Sequence, residues 1–376
     1  MIIVENFKEL ELELMPNANI CIFGAGNAGI ATKKYLNSKG IEVTHIIDSY
    51  KTGTINSTPI AHPDKLNEID CDILINTIIR DRYVVETLAS FANAKKYIKL
   101  SNGFISEFKF SSEENNTNFI NDKTADVMKI LETQEDRELY QTILKARTTR
   151  NFTKIHEYIK QKHNIEKNAP YPFTTKQYLT YLNPEKIEYV IEGGFANGLN
   201  SIIFKSKFKN LKKLFAFEVI YDKMKHPLLD SILQKIQEIK MINKVLWDGK
   251  ETLEFDINHD GLGGSSITKA NQRINATKKQ VESISIDEFM EENKIEKLDF
   301  IKLDIEGAEL NTLKGGINSI KKHRPQIAVA IYHKNEHLTD IPLYLKEQLD
   351  DYVFKIEHYS PCDWETVLYA LPKEKI

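Results

Sequence analysis

The sequence predicts a mixed α/β protein: two α/β units, each built on a strand that runs into a glycine turn and a helix, joined by a helical connector. Three observations carry this. Near the N-terminus the apolar run Asn19 to Phe23 leads directly into Gly24-Ala-Gly-Asn-Ala-Gly29 and a helix through about Asn37. In the middle, apolar residues recur at amphipathic helical spacing. In the C-terminal half, Leu298, Phe300, Ile301 and Leu303 form a short run suited to a strand buried on both faces. Leu310, Leu313, Ile317 and Ile320 then recur at helical spacing.

The first unit, residues 1–110, reads as a Rossmann-like module. Gly24, Gly26 and Gly29 form G-x-G-x-x-G in the strand-turn-helix setting that the motif requires. Glycine allows the tight turn and a close backbone approach, while the helix N-terminus offers free N–H groups to a phosphate. The strand VTHII ends at Asp48, about twenty residues on, where a carboxylate suits ribose hydroxyls. Two more strands are expected, at 71–78 and 96–100, and then too little chain remains for a complete dehydrogenase. The unit is similar to small nucleotide- or sugar-nucleotide-binding modules fused ahead of some glycan-modifying enzymes. A bound nucleotide and a purely architectural unit both stay open, because a fold does not fix a function.

From Ser111 to Asp122 the text turns polar, marking a boundary. Residues 111–180 are expected to be helical: Val127, Ile130 and Leu131, then Leu139, Tyr140, Ile143 and Leu144, then Phe152, Ile155, Tyr158 and Ile159. Such stripes read as a packing bridge rather than a substrate-binding cap.

Residues 181–376 carry the candidate chemistry. The strand at 187–193 runs into a second glycine turn, Gly193-Gly-Phe-Ala-Asn197-Gly198, and LKKLFAFE ends at Glu218. NKVLWDG brings Trp247 and Asp248, and ETLEFDINHDGLGGSSI reads as a strand and then a glycine-bearing loop. Asp256, Asn258 and Asp260 lack the rest of a calcium loop. Asp304 falls at the carboxyl end of the central strand, with Glu306 just beyond. His333 ends the buried run QIAVAIY in the same way, and ligands collect outside such strand ends. Glu306 and Glu309 also suit a helix N-terminus through its dipole alone. YVFKIEHYS, containing His358, and ETVLYALP read as a closing antiparallel pair.

This half resembles the FkbM-type methyltransferase family. The resemblance rests on SISIDEFM at 283–290, KLDFIKLDIEGAELNTLKGG from Lys297, HRPQIAVAIYHK at 323–334 and ETVLYA at 365–370. It implies a class I methyltransferase fold, a mostly parallel sheet with a closing antiparallel pair. It also implies S-adenosylmethionine as methyl donor and a sugar or glycan hydroxyl as acceptor. The family's cofactor motif D-x-G-x-x-x-G then falls on Glu192, Gly194 and Gly198, with Asn197 inside the turn. Glu218 would take the adenosine ribose, as two carboxylate oxygens suit two hydroxyls. Trp247 and Asp248 would border the adenine, with Trp247 equally suited to the core. Glu192 replaces the usual aspartate, Phe195 a small residue, Val219 a proline, and Glu357 the arginine often found before the histidine at 358. His333 is the first candidate for removing the acceptor proton and Asp304 the second. Glu306 and His358 complete the candidate set, and Asp304 with Glu306 could instead orient the histidine or hold a divalent ion.

Composition excludes several classes. Apolar and charged fractions of 41% and 28% are those of a globular protein, and a net charge of -3 gives no general drive toward nucleic acid. The three cysteines lack metal or disulfide spacing. No run approaches the ~20 apolar residues of a membrane span, and MIIVENFKELELELMP lacks a basic start followed by an apolar core. A cytoplasmic enzyme with a small-molecule or glycan substrate is expected, with homo-oligomerisation open. Its rivals are a nucleotide-binding protein with a decayed cofactor turn, and an NAD-dependent oxidoreductase centred on Gly24 to Asp48.

Overall fold

The structure is a computed structural model that describes residues 2–48, 51–78, 94–101, 104, 122–149, 151–165, 174–224, 227–257, 264–270 and 276–376. The polar boundary at 111–121 and the glycine-bearing loop at 258–263, with Asn258, Asp260, Gly261 and Gly263, lie outside the described residues. The chain divides into two compact units. One comprises 1–116, 145–174 and 360–363, the other 117–144, 175–359 and 364–376.

In the first unit, β1 (Ile2–Val4), α1 (Phe7–Leu12), β2 (Ile20–Phe23), α2 (Asn27–Ser38) and β3 (Val43–Ile47) are followed by β4 (Gly53–Ile55), β5 (Thr58–Ala61), β6 (Ile73–Asn76) and β7 (Lys96–Leu100). They make a seven-stranded sheet in the order β1-β7-β6-β2-β3-β5-β4, parallel except for the β4/β5 hairpin. Ile20, Ile22, Ile73, Ile75 and Ile98 are fully buried or nearly so, as expected of strands covered on both faces. β1 and the β4/β5 hairpin were not among the expected strands. Both are short, and the hairpin turns on Asn56 and Ser57 at φ 46° and 67°, a tight turn without the usual glycine signal.

The helices of the middle segment are α3 (Asp122–Ile130), α4 (Gln134–Thr149) and α5 (Thr153–His163). The second unit is built on β8 (Tyr189–Gly193), α6 (Leu199–Lys207), β9 (Lys213–Phe217), α7 (Tyr221–Met224), α8 (Pro227–Leu233) and β10 (Ile239–Ile242). β11 (Val245–Leu246), β12 (Thr252–Ile257), β13 (Ser266–Ile267) and β14 (Thr277–Ile284) form a separate small sheet in the order β11-β14-β12-β13. The chain then runs through α9 (Ile286–Glu292), β15 (Phe300–Leu303), α10 (Glu309–Gly315), α11 (Ile317–His323), β16 (Gln326–Ala330), α12 (His337–Gln348), β17 (Tyr352–His358) and β18 (Thr366–Pro372). The main sheet is β10-β9-β8-β15-β16-β18-β17, parallel up to β16 and closed by the antiparallel β18 and β17.

This topology fixes where a ligand belongs. β8 continues through α6 to β9 on one side, while β15 and β16 lie on the other, so the order reverses between β8 and β15. Crevices at the carboxyl ends of strands form at such reversals. The helical spacing from Leu310 to Ile320 is interrupted at Gly315 and Gly316 and yields two helices. A Cβ on Gly315 would lie 2.5 Å from the Trp247 carbonyl oxygen, and one on Gly316 2.9 Å from Ile286 Cβ. Close packing of that turn therefore requires both glycines.

Candidate active site

At the end of β8 the chain turns through Gly194, at φ 80°, where any Cβ would sit 1.9 Å from the Asp304 carbonyl oxygen. Only glycine lets the two strand ends meet so closely. Glu192, fully buried, points away from water. Its carboxylate bonds the Ser201 hydroxyl and lies 3.8 Å from Lys302 Nζ. Burial pushes Glu192 up, the Lys302 charge and the Ser201 bond pull it back, and the result is about 7. Lys302, itself 1% exposed, donates to the carbonyls of Gly193 and Gly194 at 3.2 and 2.6 Å. Its ammonium also sits 5.1 Å from the Tyr178 ring centroid. A lysine inside the buried run FIKL thus holds the glycine turn from beneath.

Asn197 accepts from the Leu199 N–H at 3.2 Å, and Gly198, at φ 81°, starts α6. Phe195 turns into the hydrophobic core beside Phe204 and Phe208. Glu218 follows β9. Its carboxylate accepts from the N–H groups of Ala196, Val219 and Ile220 at 3.1, 2.9 and 3.1 Å. Burial raises its pKa and these bonds oppose the rise without cancelling it. Trp247 is 5% exposed in a cluster with Val219 and Ile220, next in sequence to Glu218. Asp248 is engaged with the Asn311 side-chain amide at 3.0 Å.

Across the strand reversal, Asp304, Glu306 and His333 converge. His333 Nε2 lies 3.4 Å from Asp304 Oδ1 and 3.5 Å from Glu306 Oε2, and its Nδ1 lies 2.8 Å from Glu309 Oε1. The Glu309 contact is off the line of a hydrogen bond, so it acts through charge. Tyr178 and Tyr332 donate their hydroxyls to the two oxygens of Asp304 at 2.9 and 3.0 Å. The Gly264 N–H donates to Glu306 at 2.8 Å, and Glu306 holds φ 56°. Glu309 is fully buried and takes the N–H groups of Ile305 and Gly307 at 2.9 and 3.4 Å. Burial favours a neutral Glu309, but the His333 and His337 rings beside it hold the carboxyl well below its usual range. Burial lowers His333, and the Glu309 and Glu306 charges more than offset this, raising it to about 9. Asp304 and Glu306, 24% and 22% exposed, face the open side of this cluster.

His358, the last residue of β17, is buried and pairs with the Thr366 hydroxyl at 2.8 Å through Nδ1. Glu357 is buried too, accepting from the His358 N–H and the Tyr181 hydroxyl at 2.9 and 3.3 Å. In the first unit, Gly24, Gly26, Gly29 and Asp48 gather at the β2/α2 turn. A Cβ on Gly29 would fall 1.9 Å from the Gly24 carbonyl oxygen, whereas one on Gly26 meets nothing within 4 Å. Asp48 accepts the N–H groups of Ala25 and Lys51 at 2.8 and 3.0 Å.

Sequence reasoning missed Lys302, Tyr178, Tyr332 and His337, and left Glu309 as a helix-dipole residue. A lysine within an apolar strand was a usable signal for the first. Tyr178, 1% exposed and at φ 64°, gave none, since it reaches Asp304 from 126 positions away.

Residues 196–354 match the methyltransferase FkbM domain. Among solved structures, the chain is similar to the methyltransferase FkbM of Methylobacillus flagellatus KT. That match has 17% identity and a TM-score of 0.54 and covers 98% of this chain and 94% of that one. An rRNA methylase of Streptococcus thermophilus matches at 15% identity and TM-score 0.30, over 50% and 88% of the two chains. A precorrin-6y C5,15-methyltransferase of Geobacter metallireducens GS-15 matches at 11% and 0.29, over 56% and 95%. No protein of curated function matches in sequence. Among the described residues no helix is long and apolar enough to cross a membrane.

Proposed function

Taking as premise that the chain carries an FkbM methyltransferase domain and is an S-adenosylmethionine-dependent methyltransferase, we propose that it methylates a hydroxyl oxygen of a sugar or glycan precursor. The observation that carries this reading is the convergence of Asp304, Glu306 and His333 beside the β8 glycine turn, at the strand-order reversal. Methyl transfer from a sulfonium is an in-line displacement. The protein's task is to align donor and acceptor and to take up the hydroxyl proton.

In this reading Glu218, with Gly194, Asn197 and Gly198, holds the donor. Its carboxylate closes the glycine turn through the Ala196 N–H and would take the ribose hydroxyls. Glu192 supplies a negative charge beneath the turn for the donor's cationic amino-sulfonium end, and Trp247 with Asp248 borders the adenine. His333 takes the acceptor proton, with Asp304 second in line. The three carboxylates around it favour the imidazolium. A sulfonium bound nearby repels that proton and brings the ring toward its working, neutral form. His358 is a reserve candidate, and Glu357, placed where an anion-gripping arginine would stand, suits an uncharged acceptor. Residues 1–110 contribute no redox chemistry and at most hold a nucleotide, 111–180 connect, and 181–376 catalyse.

The test is kinetic. With an accepted sugar hydroxyl, His333→Ala should lower kcat by about 10²–10⁴-fold while leaving donor affinity unchanged, the pattern of a lost proton acceptor. Near-full kcat in that variant would move the role to Asp304, Glu306 or His358.

A further inference from the structure

We propose that Asp304, Glu309 and His333 form a binding site for a divalent first-row metal ion of the Mn²⁺ class. The inference rests on the functional reading above in one respect: it gives the same cluster the task of activating the acceptor. One ligand atom from each of the three residues lies within 4.8 Å of the other two. An ion with bonds of about 2.1 Å needs ligand atoms roughly 3–3.5 Å apart, so side-chain shifts of about an ångström close the set. Glu306, 3.5 Å from His333 Nε2 and partly exposed, stands at the rim as a further carboxylate.

A second observation points the same way. Both ring nitrogens of His333 and Oε2 of Glu309, on side chains 4% and 0% exposed, are met only by ion-pair contacts of 2.8–3.5 Å and by no well-aligned hydrogen bond among the described residues. Buried polar atoms are ordinarily satisfied. His337, also 4% exposed, leaves Nδ1 in the same condition 3.3 Å from that Glu309 oxygen. The N–H groups of Ile305 and Gly307 bind Glu309 through Oε1, the oxygen that also lies 2.8 Å from His333 Nδ1, and leave Oε2 without a hydrogen bond 3.3 Å from His337 Nδ1. Three carboxylates face His333, with His337 against Glu309 alone, a concentration of negative charge that a dication balances better than ring protons.

The donor set selects the ion. An imidazole among the ligands argues against calcium, which takes oxygen alone, and the absence of cysteine from the cluster argues against structural zinc. Two carboxylates with an imidazole suit a first-row dication, and the carboxylate majority favours the manganese end of that series. Asp304 and Glu306 leave the outer side accessible, so the ion would act as a Lewis acid that makes an acceptor hydroxyl more acidic, with His333 serving as a ligand and the Glu306 carboxylate at the rim taking the hydroxyl proton.

Untagged full-length protein, stripped with a chelator and dialysed, should be titrated with MnCl₂ while the signal of free Mn²⁺ is followed by electron paramagnetic resonance. One ion per chain is expected. Asp304→Asn and His333→Ala should each weaken uptake at least tenfold, and the exposed His62→Gln should not. His333→Gln, closer in volume to histidine, serves if the alanine variant does not fold, and thermal melts establish folding. Absence of stoichiometric uptake at millimolar Mn²⁺, or uptake unchanged in both site variants, overturns the inference. Methyl transfer that survives chelation yet is lost in His333→Ala also overturns the ion and leaves the proton-acceptor reading standing. Uptake of one ion by a protein that binds no S-adenosylmethionine supports the ion site and removes the donor reading.

Discussion

Glu192 carries a charge that the fold can barely hold. The carboxyl is fully buried, its nearest cation is 3.8 Å away, and burial leaves it titrating near 7. Its folded pKa therefore lies above the unfolded one, and the folded state binds the extra proton between about pH 4.5 and 7. The Glu192 contribution should fall as pH rises through that window and be constant above it, where His333, raised to about 9, adds a separate fall between about pH 6.5 and 9. At 1.36 kcal/mol per unit the change is at most on the order of 3 kcal/mol. Urea midpoints measured across the window should show the fall, and Glu192→Gln should remove it. A wild-type curve flat from pH 4.5 to 7 would mean that Lys302 compensates the charge fully. The same carboxylate is the departure from aspartate noted in the sequence, and its extra methylene lets it reach Ser201 within the core.

At the scale of elements, the two glycine turns behave differently. Gly194→Ala places a Cβ 1.9 Å from a backbone oxygen and demands φ 80° of an alanine, so it should cost several kcal/mol and lower the melting temperature markedly. Gly26→Ala meets open space and should change the melting temperature little. A thermal scan of both variants checks this, and equal losses would show that the strand ends relax. The long buried strands β8, β9, β15 and β16 were legible because their apolar runs end in sharp turns. β14 was not: four of its eight residues, Thr277 to Gln280, are exposed polar positions, and its buried face begins only at Val281. The break between α10 and α11 was hidden for a related reason, since the helical spacing continues through Gly315 and Gly316. Only the packing of Trp247 and Ile286 reveals why the glycines stand there.

For the molecule as a whole, the order of motifs along the C-terminal half carried the reading, since strand ends, glycine turns and carboxylates follow one another in sequence. Asp304, Glu306 and His333 could be found because each follows a buried run. What the sequence hid is the support around them. Tyr178 and Tyr332 hold Asp304, and Lys302 holds the turn, through contacts that only the closed sheet creates. The N-terminal unit repeats the strand-turn-helix logic with Gly24 to Gly29. If it has no redox role, NAD and NADP should support no hydride transfer across candidate sugar nucleotides. Turnover lost in Gly26→Val would contradict that assignment.

The central claim is that the methyl donor sits at the β8 turn under Glu218. Isothermal titration with S-adenosylmethionine tests it most directly, comparing the wild-type protein with Glu218→Ala. Loss of charge-assisted hydrogen bonds costs on the order of 1.5–3 kcal/mol, so the variant should bind roughly ten- to a hundredfold more weakly. Absence of binding by the wild type at millimolar donor, or equal affinity in the two proteins, would contradict it.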